Sequence, residues 1–221
     1  MRKNGLLAAT AGLALILGAV RGSAAELLIL VKDHHGKSVS DAVVSATPVD
    51  PKAAPRAKPQ TVAVDQVDKQ FVPYVKAVFV GSKVRFPNSD NIRHQVYSFS
   101  PAKRFELPLY AGADAPPVVF DKPGVVVLGC NIHDWMVAYV YVSATPYFTK
   151  TEAAGTAAIE DLPPGEYSVR VWHPSMEHGE ETTAQRVTLN ADSPTKVEWD
   201  LGLKPVFHVP RASGAASPVY P

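Results

Sequence analysis

Three residues able to bind a metal lie close together in GCNIHDWM, residues 129–136. Cys130 is the only cysteine of the chain, His133 is the third residue after it and Met136 the sixth. Copper electron-transfer sites use two imidazoles and one thiolate in a plane, with a thioether as a weak axial ligand. The stretch therefore supplies three ligands of this type, and a second imidazole must come from elsewhere in the chain.

His94 is the best candidate for the second imidazole. It lies in FPNSDNIRHQVYSF, between a predicted strand that ends at Phe86 and another that starts near Gln95, and it precedes Cys130 by 36 residues. A β-sandwich can bring loops between different strands to the same end. The predicted ligands of a single copper ion are His94, Cys130, His133 and Met136.

Each of these residues also has an ordinary structural interpretation. A single cysteine is more often a small buried hydrophobic residue than a ligand. His133 alone would suit a loop or a core, and Met136 alone would suit the start of a buried strand. The combination of all three with His94 favours a metal site over these separate interpretations.

Other metal sites fit the sequence less well. A binuclear copper centre needs two cysteines in one loop, and structural zinc sites commonly use several cysteines or Cys/His pairs. Copper oxidases and nitrite reductases need further histidine-rich motifs, and the chain has no H-x-H motif. The stretch HPSMEH offers His173, Met176 and His178 as a weak second copper site, although His173 is more typical of a strand end that bonds to a loop.

Nearly all of the remaining sequence has the pattern of β-strands. Short runs rich in β-branched and aromatic residues alternate with Pro, Gly, Asn and Asp, and the 20 prolines disfavour helices. Regularly spaced short strands indicate β-sandwiches or barrels. We therefore predict an all-β protein, with strands in ELLILVKD, AVVSATP, KAVFVGSKVRFPN, RHQVYSF, GVVVLGC, MVAYVYV, EYSVRVW, RVTL and KVEWDL.

Residues 61–143 resemble the cupredoxins. QFVPYVKAVFVGSKVRFPNSDNIRHQV is similar to their N-terminal half, and FDKPGVVVLGCNIHDWMVAYVYV is similar to the half that carries the cysteine. The C-x2-H-x2-M spacing matches the short ligand loop of amicyanin. The resemblance implies a Greek-key sandwich, the four copper ligands named above, and Asn88 as the residue that braces the ligand loops. Gly129 departs from the pattern, because many family members have an aromatic residue before the cysteine.

The flanking segments resemble a carboxypeptidase regulatory-like domain, which is a transthyretin-like β-sandwich. The matching positions are Gly36, Asp41, Ala42, Glu152, Gly155, Leu162, Pro164, Gly165 and Tyr167, with Glu152 in place of the usual Asp. This resemblance implies that the cupredoxin sandwich is inserted between the second and third strands of a host sandwich. The alternative is that residues 26–48 are extra cupredoxin strands and that the C-terminal part is an appendage. The whole arrangement is similar to proteins described as methylamine-utilisation or plastocyanin-like.

The start of the chain resembles a cleavable secretory signal. A basic start precedes the apolar run Leu6–Val20, and Ser23 and Ala25 satisfy the small-x-small cleavage pattern. The run is shorter than the roughly 20 apolar residues of a membrane span. The predicted organisation is a signal peptide at 1–25, a host sandwich at 26–50 and 147–203, a linker at 51–60, a cupredoxin domain at 61–143 and a disordered tail at 204–221.

Charge and composition narrow the classes of function. Residues 1–25 contain three basic and no acidic residues, so the rest of the chain carries a formal net charge of −2. Nucleic-acid binding needs clustered Lys and Arg. The densest cluster of these residues lies in the Pro-rich stretch 51–60, which is typical of a linker, so nucleic-acid binding is not expected. No hydrolytic or oxygenase motif is present, so an enzyme is not expected.

The sequence favours a monomeric electron carrier in the periplasm or outside the cell. His133, beside Ile132 and Trp135, would be the electron exit towards a cytochrome or dehydrogenase. Trp135 is equally typical of a core aromatic. The alternative function is a cell-envelope binding module in which the cupredoxin stores copper or is vestigial. A copper chaperone is a third option, which the thiolate ligand disfavours.

Overall fold

The regular secondary structure of the described residues is almost all β-strand, as predicted. The computed structural model describes residues 24–51, 58–112 and 115–205, and adds to the strands a short 3-10 helix at Glu180–Thr183. In chain order the strands are β1 (Ala25–Asp33), β2 (Val43–Pro48), β3 (Thr61–Ala63), β4 (Asp65–Val67), β5 (Gln70–Val72), β6 (Val75–Phe79), β7 (Ser82–Arg85), β8 (His94–Ser100), β9 (Lys103–Tyr110), β10 (Val118–Phe120), β11 (Gly124–Gly129), β12 (Val137–Ser143), β13 (Tyr147–Lys150), β14 (Thr156–Leu162), β15 (Gly165–Trp172), β16 (Gln185–Leu189) and β17 (Thr195–Leu201).

Strands from both ends of the described chain form one sandwich, here called the outer sandwich. Its sheets have the orders β14-β1-β17 and β13-β2-β15-β16. Along β1 the side chains alternate, so that Leu27, Ile29 and Val31 are buried between the two sheets. Trp199 and Tyr167 reach the same core from β17 and β15. The period-2 pattern of the sequence thus gives each sheet one apolar face.

The strands between them form a second sandwich, here called the central sandwich. Its sheets have the orders β10-β7-β3 and β6-β12-β11-β8-β9, and the small hairpin β4-β5 lies beside them. Phe86, Phe120 and Leu128 are fully buried in its core. Cys130 and Met136 belong to this core as well.

Aromatic rings join the two sandwiches. Trp172 of β15 lies with its ring centroid 5.8 Å from that of Tyr139 and 5.6 Å from that of Tyr141, both on β12. The ring of Tyr74 also contacts that of Tyr139, edge to face, with the centroids 5.4 Å apart. Offset and edge-to-face contacts of this kind contribute beyond the area they bury. The outer and central sandwiches therefore pack through a specific aromatic cluster.

The chain passes from the outer sandwich to the central sandwich and back. β1 pairs with β14 and β17, and β2 pairs with β13 and β15. Residues 26–48 thus pair with strands that follow the central sandwich in the chain. The domain bounds and the transthyretin-like resemblance of the outer sandwich stay predictions.

Parts of the predicted organisation fall beyond the described ranges. The signal peptide up to residue 23, most of the linker at 51–60 and the tail from residue 206 lie outside the described residues. Ala25 is 2% exposed and begins β1, so cleavage after it would remove the first residue of that strand. Among the described residues, no helix has the length and apolar character needed to cross a membrane.

Candidate metal centre

The strand arrangement explains how His94 and Cys130 meet. His94 is the first residue of β8, and Cys130 directly follows the last residue of β11. The two strands are antiparallel neighbours in one sheet. The beginning of β8 and the end of β11 therefore lie at the same end of the central sandwich. His133 is in the loop between Cys130 and β12, which keeps it at this end too.

Three of the four predicted ligands come together. The ligand atoms of His94, Cys130 and His133 all lie within 4.8 Å of one another. His94 Nδ1 is 4.0 Å from Cys130 Sγ, and the two imidazole centroids are 4.9 Å apart. Within the described ranges this is the one group of His, Cys, Asp and Glu side chains with such close ligand atoms.

The second nitrogen of His94 is held by a carboxylate. His94 Nε2 lies 2.6 Å from Asp90 Oδ2, and His94 is fully buried. Burial raises the pKa of Asp90, but the backbone N–H of Lys69, the His94 ring and the backbone N–H of Asp68 together lower it below its usual value. An ionised carboxylate only accepts hydrogen bonds, so Nε2–H is the donor, and Nδ1 is the ring nitrogen that faces Cys130.

The surroundings of Cys130 favour the thiolate. Burial raises the pKa of the thiol, but the hydrogen bond with His94 and backbone N–H groups from Gln95, Ile132 and His133 lower it below the usual value. Metal binding requires the thiolate form. The side chain is only 3% exposed, which protects the thiol from oxidants in solution.

His133 lies between the cluster and the surface. The residue is half-buried while its Nδ1 atom is buried. Its ring centroid is 5.0 Å from that of Trp135, which is half-buried and packs against the central core. Ile132 beside it is 49% exposed. The loop thus places one half-buried imidazole beside the partly exposed apolar side chains of Ile132 and Trp135.

Met136 is placed near the cluster by its backbone. Its N–H donates to the carbonyl of His133 at 2.9 Å, which closes a tight turn after the histidine. The side chain is 1% exposed and packs in the same core as Cys130. Its role as an axial ligand stays a prediction.

Asn88 braces the loop before His94. Its side-chain amide donates to the carbonyls of Ile92 and Tyr110 at 2.9 and 2.8 Å, and its side-chain oxygen accepts the N–H of Asp90 at 3.1 Å. These bonds tie the loop to itself and to β9. The resemblance implies that Asn88 braces the ligand loops, and these bonds brace the one that leads to His94.

Sequence reasoning missed several residues that support the ligands. Asp90 is one, although its place four residues before a candidate ligand in a polar loop was a usable signal. Another is the pair next to the ligands in sequence: Asn131 Nδ2 donates to Gln95 Oε1 at 2.6 Å. This bond links the residue after Cys130 to the residue after His94, so the two ligand-bearing segments are directly cross-linked.

Tyr97 compensates for the unusual Gly129. The two residues face each other across β8 and β11. A Cβ atom at Gly129 would lie 2.8 Å from both Cζ and Oη of Tyr97. The aromatic ring therefore lies directly against the glycine, so an aromatic side chain covers the backbone beside Cys130 although residue 129 has none.

The second histidine stretch does not form a comparable cluster. The backbone N–H of His173 donates to Met176 Sδ at 3.1 Å, and His173 Nδ1 accepts the N–H of Ser175 at 3.2 Å. His178 instead lines an open cleft of about 420 Å³ in the outer sandwich, together with His34. His173 is thus used in a turn, as its ordinary interpretation predicts.

The three clustered side chains fit copper. Two donor atoms that share a first-row ion, one sulfur at about 2.3 Å and one nitrogen at about 2.0 Å, lie no more than about 4.3 Å apart. The distance of 4.0 Å between Cys130 Sγ and His94 Nδ1 satisfies this limit. Thiolate suits Cu(I) and imidazole suits copper in both oxidation states. The fold of the described residues is all-β, and the thiolate and imidazole donors are a set that suits a copper ion.

The comparisons with known proteins concern part of the chain. No family model and no curated protein matches it. A copper-containing nitrite reductase from Thermus scotoductus SA-01 is 28% identical over 44% of this chain, with a TM-score of 0.36, and this chain covers 25% of that protein. A purple cupredoxin from Nitrosopumilus maritimus is 25% identical over 39% of this chain and 100% of its own length, with a TM-score of 0.33. A reduced amicyanin mutant is 19% identical over 45% of this chain and 99% of its own length, with a TM-score of 0.36.

The resemblance to cupredoxins predicted from the sequence is thus also found among solved structures. The chain spans a quarter of the length of the nitrite reductase. The donor atoms of His94, Cys130 and His133 are therefore the evidence for copper binding. No comparison bears on the resemblance of the outer sandwich to transthyretin-like domains.

Proposed function

We propose that the central sandwich holds one type 1 copper ion and that the protein carries single electrons between redox partners. The observation that carries the proposal is the buried cluster of His94, Cys130 and His133 at one end of the sandwich. When bound there, copper supplies a one-electron Cu(II)/Cu(I) couple. Met136 is the proposed weak axial ligand.

The protein contributes a donor set that is fixed before the metal arrives. Cys130 and His94 are buried in a close-packed core, and hydrogen bonds to Asp90 and between Asn131 and Gln95 hold their loops. A rigid donor set suits electron transfer because little rearrangement accompanies a change of oxidation state. The low exposure of the thiolate also keeps water away from it.

His133 is the proposed route for electrons to and from the surface. It is the half-buried member of the cluster, and Ile132 beside it is 49% exposed. A single imidazole edge in an apolar surrounding suits brief contact with a cytochrome or a dehydrogenase. We propose no catalytic role, and we propose that the protein acts as a monomer.

The N-terminal sequence supports export to the periplasm or the medium. Its basic start, apolar run and small-x-small motif are typical of a cleaved signal. Expression of the full chain in a Gram-negative host, followed by N-terminal sequencing of the periplasmic fraction, tests this. Retention of the intact N-terminus in the cytoplasm would refute it.

The cleft in the outer sandwich favours a second candidate function, which is ligand binding in the cell envelope. The cleft has a volume of about 420 Å³ and is lined by polar groups that include Glu177, His178 and Asp200. In this case the copper site would store metal or be vestigial. Fast electron exchange with a cytochrome would favour the carrier, and its absence from a protein that binds copper would favour the binding module.

Addition of Cu(II) to the purified protein tests the main proposal. We expect one copper per chain and the intense visible absorption of a copper–thiolate bond. Cys130→Ser should abolish the band, and His133→Gly should weaken it until added imidazole restores it. His178→Asn, a change at a histidine outside the cluster, serves as the matched control and should keep the full band. A band that survives in Cys130→Ser would refute the proposal.

A further inference from the structure

The carboxylate of Asp90 holds more than the histidine. Its Oδ1 accepts the backbone N–H of Asp68 at 2.7 Å, and its Oδ2 accepts the N–H of Lys69 at 2.9 Å in addition to Nε2–H of His94 at 2.6 Å. The side chain is 13% exposed. Three N–H donors therefore converge on one nearly buried carboxylate. Two of them belong to a hairpin that precedes Asp90 by about 20 residues in the sequence.

Asp68 and Lys69 form the turn of the β4-β5 hairpin. Their φ angles are 51° and 58°, so both residues adopt the left-handed conformation of a two-residue hairpin turn. Neither residue is a glycine, so external contacts must offset the cost of this conformation. The two consecutive N–H groups both point to the Asp90 carboxylate, which supplies such contacts.

The opposite side of the same turn contacts the other ligand loop. The carbonyl of Lys69 accepts the indole N–H of Trp135 at 3.2 Å. Trp135 lies against His133, with ring centroids 5.0 Å apart. The turn is thus bonded on one side to the residue that holds His94 and on the other to the residue that packs on His133.

We propose that the Asp68–Lys69 turn is a positioning brace that fixes the two histidines relative to each other, with Asp90 and Trp135 as its two attachments. The effect of the brace on bound copper rests on the proposed copper function. The brace itself is a property of the copper-free protein. Asp90 is a positioning residue here, since it acts through His94.

The brace has a consequence for the copper couple. A carboxylate that accepts Nε2–H makes Nδ1 a stronger donor, and second-shell partners of this kind change metal affinity by about 10- to 100-fold. The stronger donor favours Cu(II) over Cu(I). A tenfold selective loss of Cu(II) affinity raises the reduction potential by about 59 mV.

Copper-free protein gives the first test. In Asp90→Asn we expect amide exchange at Asp68 and Lys69 to accelerate about tenfold and the nitrogen NMR signals of His94 to shift towards the other tautomer. Trp135→Phe keeps an aromatic ring but removes the indole N–H, so it should accelerate exchange in the turn while leaving the His94 tautomer unchanged. It also provides a second test if Asp90→Asn does not fold.

Ser89→Ala is the matched control. Ser89 lies in the same loop as Asp90, and the change removes its 2.7 Å hydrogen bond to Asp65 of β4 without removing a contact of His94 or of the Asp68–Lys69 turn. Asp90→Asn should bind Cu(II) at least tenfold more weakly than the parent and have a higher reduction potential. Ser89→Ala should match the parent in both. Unchanged exchange and tautomer in Asp90→Asn, or equal changes in Ser89→Ala, would overturn the brace even if the parent binds copper. If the parent binds no copper, the proposed function fails, and the copper-free measurements still decide the brace.

Discussion

Replacement of Gly129 by alanine tests the packing beside the cysteine. The new Cβ would lie 2.8 Å from Cζ and Oη of Tyr97, whereas comfortable contacts between carbon atoms begin near 3.5 Å. The Tyr97 ring must therefore move by about 0.7 Å or more. Tyr97 is half-buried and contacts Phe99, which is 72% exposed, so the ring can swing towards solvent only by giving up contacts with β11.

The expected cost follows from two opposing effects. Overpacking of this kind costs about 1–3 kcal/mol. The change from glycine to alanine stabilises by about 0.4–1 kcal/mol through the unfolded chain, because the φ angle of Gly129 is not in the left-handed region. The net loss in free energy of unfolding therefore lies between about 0 and 2.6 kcal/mol, with a central value of about 1.3 kcal/mol, or about 3–5 °C in Tm for a protein of this size.

Urea unfolding of copper-free protein measures this cost, and Tyr97→Ala supplies the control background. With the ring removed, Gly129→Ala should become neutral or stabilising, so the sign of its effect should reverse. Cys130 is the only cysteine and is 3% exposed, so its rate of reaction with a thiol reagent reports local opening beside Gly129. Equal destabilisation in both backgrounds, or none in the parent, would refute the packing argument.

Three further predictions concern other parts of the molecule. Met136→Leu should keep the visible band but raise the copper potential in voltammetry, because loss of an axial donor destabilises Cu(II) more than Cu(I); an unchanged potential would contradict the axial role. Burial lowers the pKa of His173 from its usual 6.5, despite the opposing effects of Asp41 and the Ser40 backbone, so the unfolded chain takes up a proton first as pH falls. The free energy of unfolding should therefore fall below about pH 6.5 by up to about 1.4 kcal/mol per pH unit, and His173→Asn should remove this part of the slope in urea titrations. Trp172→Leu removes two ring contacts between the sandwiches and should lower the free energy of unfolding by about 1–3 kcal/mol. The same change at the exposed ring of Phe99, Phe99→Leu, should cost less, and the reverse order would contradict the role of Trp172.

The clustering of His94, Cys130 and His133 was predictable because few side chains can bind a metal through sulfur or imidazole nitrogen. Thiolate and imidazole come only from Cys and His, and the chain has a single cysteine, so the spacing around Cys130 left few alternatives. The brace was not predictable, because it is built from the backbone groups of Asp68 and Lys69. Any residue offers a backbone N–H and C=O, so the sequence carries no mark of where they point.

Strands with one buried face were predictable from their alternating sequence, whereas a strand at the edge of a sheet was harder to predict. β1 alternates strictly and was predicted, whereas β9 was missed. β9 lies at the edge of the five-stranded sheet, and charged residues such as Arg104 and Glu106 alternate with Phe105 and Leu107 along it. Edge strands commonly carry charges that prevent pairing with other chains, which weakens the apolar signal on which prediction depends.

The pairing of β2 with β13 has a consequence for the order of folding. Ala46 faces Tyr147 across these strands, and Thr145 Oγ1 donates to the carbonyl of Ala46 at 2.7 Å, although about 100 residues separate them in the chain. A central sandwich that folds first would bring its own two ends together. The long flexible chain between β2 and β13 would then become a folded domain whose ends lie close together. This reduces the entropy lost when β2 pairs with β13. β1 must still wait for β17, which is the last strand among the described residues, so its apolar edge stays unpaired longest and is the segment most exposed to aggregation while the protein folds.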